Sequence, residues 1–328
     1  MKRRIINAVI TKKFNEWTAT IEDEAARKLV EKNTIITGGC IASMINGEEV
    51  KDYDVYFTNQ ETVLAVARYY IEKFKTAKPL GPNIQIFIGN DFTNESSEFR
   101  RQIKRIEELP DDDPEKDLGL LEFYNDHKDY EEPGRVYLYI NSSGIAAEKP
   151  LGELMDDSEN PLDELLEDPE KKEKYRPVFF SSNAITLSNK IQIVTRFYGD
   201  AAEIHKNFDY LHATNYWVSN PGKVEIKIEA LEAVHNKELI YVGSKYPVCS
   251  LFRMRKFISR GFTISAGEIL KIAMNINEFD LTKIPVLRDQ LIGVDSAYFN
   301  ALIEALKEKK DGWINRNYLT ELINRMYN

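Results

Sequence analysis

Asp52 and Asp54 are separated by a single tyrosine in Lys51-Asp52-Tyr53-Asp54-Val55-Tyr56-Phe57. Aromatic and β-branched residues favour a strand there, and the period of two places both carboxylates on one face. Two like charges side by side call for a partner of opposite sign, and ligands that are all oxygen suit a hard cation such as magnesium. Upstream, the β-branched run Thr34 to Thr37 meets the pair Gly38-Gly39, and twelve residues, 40 to 51, separate that pair from Asp52. A Gly-Gly turn admits unusual backbone angles and lets a ligand approach the chain closely. The chemistry these residues offer is therefore cation-assisted handling of an anionic ligand.

The elements that must position them follow the same logic. Thr20 to Asn33 predicts an amphipathic helix, with Ile21, Ala25, Leu29 and Val30 as its apolar stripe. A strand, a tight turn, a short helix closed at Asn46-Gly47 and the Asp-x-Asp strand come next. Gln60 to Phe74 then predicts a helix capped by Thr58 or Asn59, and Ile84 to Ile88 a strand. This alternation points to an α/β or α+β fold with a mixed sheet.

An apolar residue beside Gly-Gly, followed after twelve residues by Asp-x-Asp between apolar neighbours, resembles the signature of the polymerase-β-like nucleotidyltransferase superfamily. That family includes tRNA CCA-adding enzymes, poly(A) polymerases and nucleotidylyltransferases acting on small molecules or proteins. The resemblance implies that Gly38 and Gly39 approach the phosphates of a nucleoside triphosphate and that Asp52 and Asp54 hold two magnesium ions. Ser43, on the short helix after the glycines, would add a phosphate contact.

A second block carries the resemblance further. Asn183-Ala184-Ile185-Thr186, Ile191 to Val194, Glu203-Ile204 and Phe208-Asp209 resemble the later core of viral and phage-type members, in which an Asp-bearing strand delivers a third carboxylate. On that reading Asp209 heads a strand and joins Asp52 and Asp54 as a catalytic metal ligand. Asp200 reads instead as the cap of a short helix, and Glu225 as part of a solvated alternating strand from Val224 to Glu229. Asn189-Lys190 fits a hairpin turn before the strand Ile191 to Phe197. Pro247 to Arg260 predicts a helix whose Arg253, Lys256 and Arg260 form a basic stripe opposite Leu251, Met254 and Ile258. The resemblance makes Arg253 and Lys256 nucleotide-binding candidates.

Residues 90 to 176 read as an acidic insertion, so the expected core is 1–89 with 177–245, followed by a helical domain over 246–328. The insertion holds a predicted helix from Glu95 to Leu109 and a strand from Arg135 to Asn141, and helices are predicted at Asp295 to Lys309 and Asn315 to Met326. Residues 107 to 176 carry 23 acidic against 8 basic side chains, while the rest of the chain carries 30 against 36, so the net charge of −9 conceals a mildly basic remainder. That balance is compatible with triphosphate or nucleic acid and too small to demand a long phosphate-backbone footprint.

At 328 residues, with 43% hydrophobic and 30% charged side chains, the chain has the composition of a soluble globular protein. No apolar run approaches the roughly 20 residues that span a bilayer, and Ile5 to Ile10 after Met1-Lys2-Arg3-Arg4 is too short for a secretory signal. Cys40 and Cys249 form no disulfide or metal spacing, which points to a reducing cytoplasm, that of the host if the chain is phage-encoded. His127, His205, His212 and His235 stand apart from one another, which argues against zinc or a His-centred nucleophile. Walker-type, Rossmann and Gly-x-Ser-x-Gly patterns are absent.

The expected function is magnesium-dependent transfer of a nucleoside monophosphate from ATP or another NTP to a hydroxyl, with release of pyrophosphate. An RNA 3′ end is the first choice of acceptor. The alternatives are a protein or small-molecule nucleotidylyltransferase, and a non-catalytic binding or virion-associated interaction protein that has kept the fold.

Overall fold

The computed structural model describes residues 1–89, 134–140, 145–147, 173–281, 286, 287 and 290. The predicted helices at 95–109, 295–309 and 315–326 and the acidic runs lie outside those residues.

The chain opens with a helix that its basic start had obscured, α1 (Arg3–Thr18). Ile6, Ile10, Phe14 and Trp17 fall on one helical face and are all buried in the main core. Asp23 then caps α2 (Glu24–Asn33) by accepting from the backbone N–H groups of Ala25 and Ala26, so this helix starts later than the apolar stripe suggests. β1 (Thr34–Thr37), α3 (Gly39–Asn46), β2 (Tyr53–Phe57) and α4 (Gln60–Ala77) follow, and Asn59 caps α4. Next come β3 (Ile84–Ile88), β4 (Val136–Ile140), β5 (Ile145–Ala147), β6 (Pro177–Ser181), β7 (Ala184–Leu187) and β8 (Ile191–Tyr198). The remaining elements are α5 (Ala201–His205), β9 (Tyr216–Val218), β10 (Lys223–Glu225), α6 (Ile228–His235), β11 (Glu238–Leu239), α7 (Pro247–Ser259), β12 (Thr263–Ile264) and α8 (Ala266–Ile276).

Eight strands form one sheet in the order β10-β9-β1-β2-β8-β7-β6-β5. β2 and β8 run parallel, whereas the other neighbours are antiparallel, so the protein is an α+β fold with a mixed sheet. β3 and β4 pair separately, and their Ile84, Val136, Leu138 and Ile140 pack into the same core as α1, α2 and α4. The β7–β8 turn carries Asn189 and Lys190 at φ 61° and 64°, the left-handed geometry that tight hairpins require.

Two predicted strands are absent. Val224 to Glu229 does not continue as an alternating strand: β10 ends at Glu225 and α6 begins at Ile228. Asp209 does not head a strand. It lies in a connection whose residues 209–211 bond the backbone of residues 240–242, and a short 3-10 turn over Leu211–Ala213 precedes β9. In the second case backbone partners distant in sequence, residues 240–242, decided the outcome, and local propensity carries no information about them.

Candidate functional site

The antiparallel register of β1 on β2 sets Thr37 opposite Asp54. The turn after β1 is therefore delivered directly to the carboxylate. Gly38 takes φ 90°, a region that L side chains rarely enter, and Asp54 Oδ2 fills the space a β-carbon there would need. Gly39 differs: nothing lies within 4 Å of its β-carbon position, and it opens α3 with ordinary helical geometry.

Period two along the strand is kept. Tyr53, Val55 and Phe57 point into the main core, while Asp52, Asp54 and Tyr56 line a cavity on the other face. That cavity is also bordered by Gly38, Gly39, Ser43, Asp209, Arg253 and Lys256, so every site residue expected from the sequence borders one space. Cys40 lies beside the aspartates; its burial, together with the charges of Asp54 and Asp52, pushes its thiol pKa well up, so it is an inert thiol.

A polar suture holds the Gly-Gly turn. The Gly38 N–H donates to the carbonyl of Ala213 at 3.2 Å, and the Thr37 hydroxyl donates to the carbonyl of Asn215 at 2.9 Å. Thr37 Oγ1 also meets His205 Nε2 at 2.8 Å, and His205 Nδ1 meets Lys227 Nζ at 3.0 Å. An ammonium only donates, so Nδ1 accepts and the ring proton sits on Nε2, where it is given to Thr37. Burial and the neighbouring Lys227 lower the His205 pKa to about 3, which keeps the ring neutral. His205 thus braces the turn from behind, and it does not line the cavity.

Asp209 enters from the far wall. It is 8% exposed and accepts from Arg253 Nη1 at 2.6 Å, a charge-assisted bond. The preceding connection ties to α7 through Tyr210, whose hydroxyl donates to the Ser250 carbonyl at 2.8 Å. Along α7, Arg253, Lys256, Phe257 and Arg260 border the cavity, and Phe257 packs on the Tyr210 cluster with Leu251 and Met254. Ile258, expected on the buried face, is 45% exposed; Phe257, one residue earlier, takes that place. Arg260 donates to Ser43 Oγ at 2.8 Å and to Glu48 Oε2 at 3.0 Å, while Lys237 meets Glu48 Oε1 at 3.3 Å. Ser43 is therefore engaged by a cation of the chain itself.

Among the described residues, no three His, Cys, Asp or Glu side chains converge closely enough to hold a metal ion. Asp52 and Asp54 supply hard oxygens on one face beside the open position of Gly39, and Asp209 is engaged by Arg253. Magnesium commonly takes one or two protein carboxylates and completes its shell with substrate phosphates and water. The donor set fits that open mode and not a closed three-carboxylate cage.

Residues such as Tyr56 and Phe257 join the site by periodicity, since each lies on the strand or helix face that already carried a recognised residue, whereas Lys51 borders it from the loop before β2. His212 had no local signal. It is fully buried, lines the cavity and sits edge-on to Phe257, with ring centroids 4.4 Å apart at 85°. Asp200 is confirmed as a cap, accepting from the Glu203 N–H, and Glu225 pairs with Arg3 and Lys223 at the surface.

Fold and cavity together define an α+β protein with a carboxylate-and-cation cleft at the edge of two antiparallel strands. The model for the Gabija anti-defense 2 family protein matches residues 8–237, and the chain belongs to that family. Gabija anti-defense 2 of Bacillus phage SPbetaL7 is 23% identical over 159 residues, a match covering 42% of this chain and 38% of that relative's length. The Thermotoga maritima CCA-adding enzyme complexed with tRNA is similar at 11% identity and TM-score 0.36, covering 89% of this chain and 53% of that one. The Bacillus stearothermophilus CCA-adding enzyme in complex with CTP is similar at 12% identity and TM-score 0.33, covering 89% and 52%. Among the described residues, no helix is long and apolar enough to cross a membrane.

Proposed function

We propose that this chain is a phage counter-defence protein directed at a Gabija-type system, and that it acts through the cleft as a nucleotidyltransferase. The acceptor in this reading is a hydroxyl of a protein or small molecule of the defence system and not an RNA 3′ end. The observation that carries it is the Gly38–Asp54 fit: a glycine at φ 90° lets a strand-borne carboxylate close up against the turn that leads to the open position of Gly39, with Lys51, Arg253, Lys256 and Arg260 around the same cavity.

Each residue has a task in this reading. Gly39 offers its backbone to a triphosphate with no side chain in the way, and Gly38 holds the turn against Asp54. Asp52 and Asp54 would hold magnesium, which when bound polarises a phosphoryl oxygen and acidifies an acceptor hydroxyl. Lys256 and Lys51 supply compact positive charge for phosphate oxygens. Arg253, anchored by Asp209, presents its remaining guanidinium donors at a fixed angle.

A second reading is favoured by the Arg253–Asp209 pair itself. An aspartate engaged by arginine is a weaker metal ligand, and a cleft with two carboxylates also suits nucleotide binding without turnover. Purified chain, the defence proteins, magnesium and each α-labelled NTP, run beside an Asp52→Asn/Asp54→Asn variant, separate the two. Label on a defence component only with intact aspartates supports transfer. Antagonism that persists undiminished in the double variant supports binding alone.

A further inference from the structure

β8 runs in the interior of the sheet between β2 and β7, and its parallel register on β2 sets Gln192 beside Asp54. Adjacent strands lie about 4.8 Å apart. Ile191 and Ile193 point into the main core, so Gln192 takes the other face with Val194, which packs in one cluster with Tyr56. There it borders the same cavity as Asp52 and Asp54. The side chain is half-buried, and its amide makes no hydrogen bond among the described residues. Asp54 is thus flanked from both neighbouring strands. On the β1 side the Gly38 turn closes against Oδ2 and brings no side-chain oxygen, while on the β8 side stands a carboxamide that opens onto the cavity.

We infer that Gln192 Oε1 is a third, uncharged oxygen ligand for the magnesium held by Asp52 and Asp54, an inference that rests on the metal-binding reading above. A carboxamide carbonyl is a hard oxygen donor that suits magnesium or manganese as a carboxylate does. Asp209 borders the cavity too, but its charge is answered by Arg253 at 2.6 Å. Phosphate oxygens have Lys51, Arg253, Lys256 and Arg260 around the same cavity, and a full cation serves them better than an amide N–H. The lack of charge on Gln192 has a consequence. Two carboxylates balance one divalent ion, whereas a third would leave a net negative site facing a polyanionic triphosphate. An amide adds an oxygen without adding repulsion, so the site takes the metal weakly alone and readily as its triphosphate complex.

The test is equilibrium binding of manganese(II) to the full chain without nucleotide, followed by the electron paramagnetic resonance signal of the free ion. It compares wild type with Gln192→Met, which keeps the length and removes the oxygen, and Gln192→Glu, which keeps the shape and adds a charge. Each is also measured in an Asp52→Asn/Asp54→Asn background. The expected result is about tenfold weaker binding in Gln192→Met, the scale on which even a supporting group of a metal site acts, and tighter binding than wild type in Gln192→Glu. Both effects vanish in the background that lacks the aspartates, and tripolyphosphate affinity without metal is unchanged in Gln192→Met. Undiminished manganese affinity in Gln192→Met overturns the inference, as does a gain in Gln192→Glu that persists without the aspartates. If Gln192→Met does not fold, or loses tripolyphosphate as well, Gln192→Glu decides: a gain confined to the chain with intact aspartates supports the inference and an unchanged affinity overturns it. Manganese binding by wild type that is indifferent to Asp52→Asn/Asp54→Asn overturns the metal site as a whole, a different outcome from a site that ignores residue 192.

Discussion

Asp54 Oδ2 occupies the position that a β-carbon on Gly38 would need, so the carboxylate and the turn are one fitted unit. Gly38→Ala forces an L residue into φ 90°, ψ −155°, a region essentially confined to glycine, at about 1–3 kcal/mol, and also displaces Asp54. Gly39→Ala meets no atom within 4 Å and replaces a helical glycine, so it gains up to about 1 kcal/mol. Thermal melts of the two variants should move in opposite directions; magnesium-dependent NTP binding should fail in Gly38→Ala and weaken in Gly39→Ala, whose added methyl group enters the space offered to the triphosphate.

The Arg253–Asp209 pair is shielded, with side-chain exposures of 24% and 11%. Removing one partner strands a mostly buried charge, a loss of about 3–5 kcal/mol in fully buried cases and less here. Arg253→Met should therefore destabilise the chain more than the double variant Asp209→Asn/Arg253→Met. Denaturant melts of both singles and the double complete the cycle, and additive losses would show that the pair contributes no coupling.

His205 is neutral in the folded chain with its pKa near 3, below its ordinary value of 6.5. As pH falls below 6.5 the unfolded chain binds a proton that the folded chain refuses. Stability is thus fully present above that pH and drains away toward pH 3, at no more than about 1.4 kcal/mol per pH unit for this group. Melting temperature followed from pH 7.5 to 5 should fall more steeply for wild type than for His205→Gln. Parallel curves would show that the histidine is not held neutral.

Glu48 joins the end of α7 to α3, accepting from Arg260 at 3.0 Å and from Lys237 at 3.3 Å. All three side chains are partly exposed, so Glu48→Ala should cost only about 1 kcal/mol. Its effect on motion should be larger, because one carboxylate bridges Arg260 at the end of α7 and Lys237 after α6 to the turn that closes the helix starting at Gly39. Amide exchange within 247–260 should accelerate in Glu48→Ala with little change in β2, and uniform exchange would refute this local clasp.

The residues that define the site face were legible because periodicity is a local property. Alternation alone assigns Asp52 and Asp54 to one side of β2 and Val55 to the other, and helical spacing alone aligns Arg253, Lys256 and Arg260. Caps such as Asp200 and Asn59 were likewise readable, since each acts within three residues of itself. α1 is less plain locally, because Lys2-Arg3-Arg4 and Lys12-Lys13 bound a short apolar run while the helical spacing of Ile6, Ile10, Phe14 and Trp17 extends across it.

What sequence could not supply was every relation between distant segments. The register that sets Thr37 against Asp54 depends on strands 17 positions apart, and the partner of Asp209 is a helix residue 44 positions away. The pairing of residues 209–211 with 240–242 turned an expected strand into a connection, and packing of Phe257 and Phe262 around His212 made a solitary histidine part of the cavity. Spacing along the chain fixed which side chains face together on one element. Only tertiary packing, through backbone pairing and excluded volume, decided which elements meet and hence which charges neutralise one another.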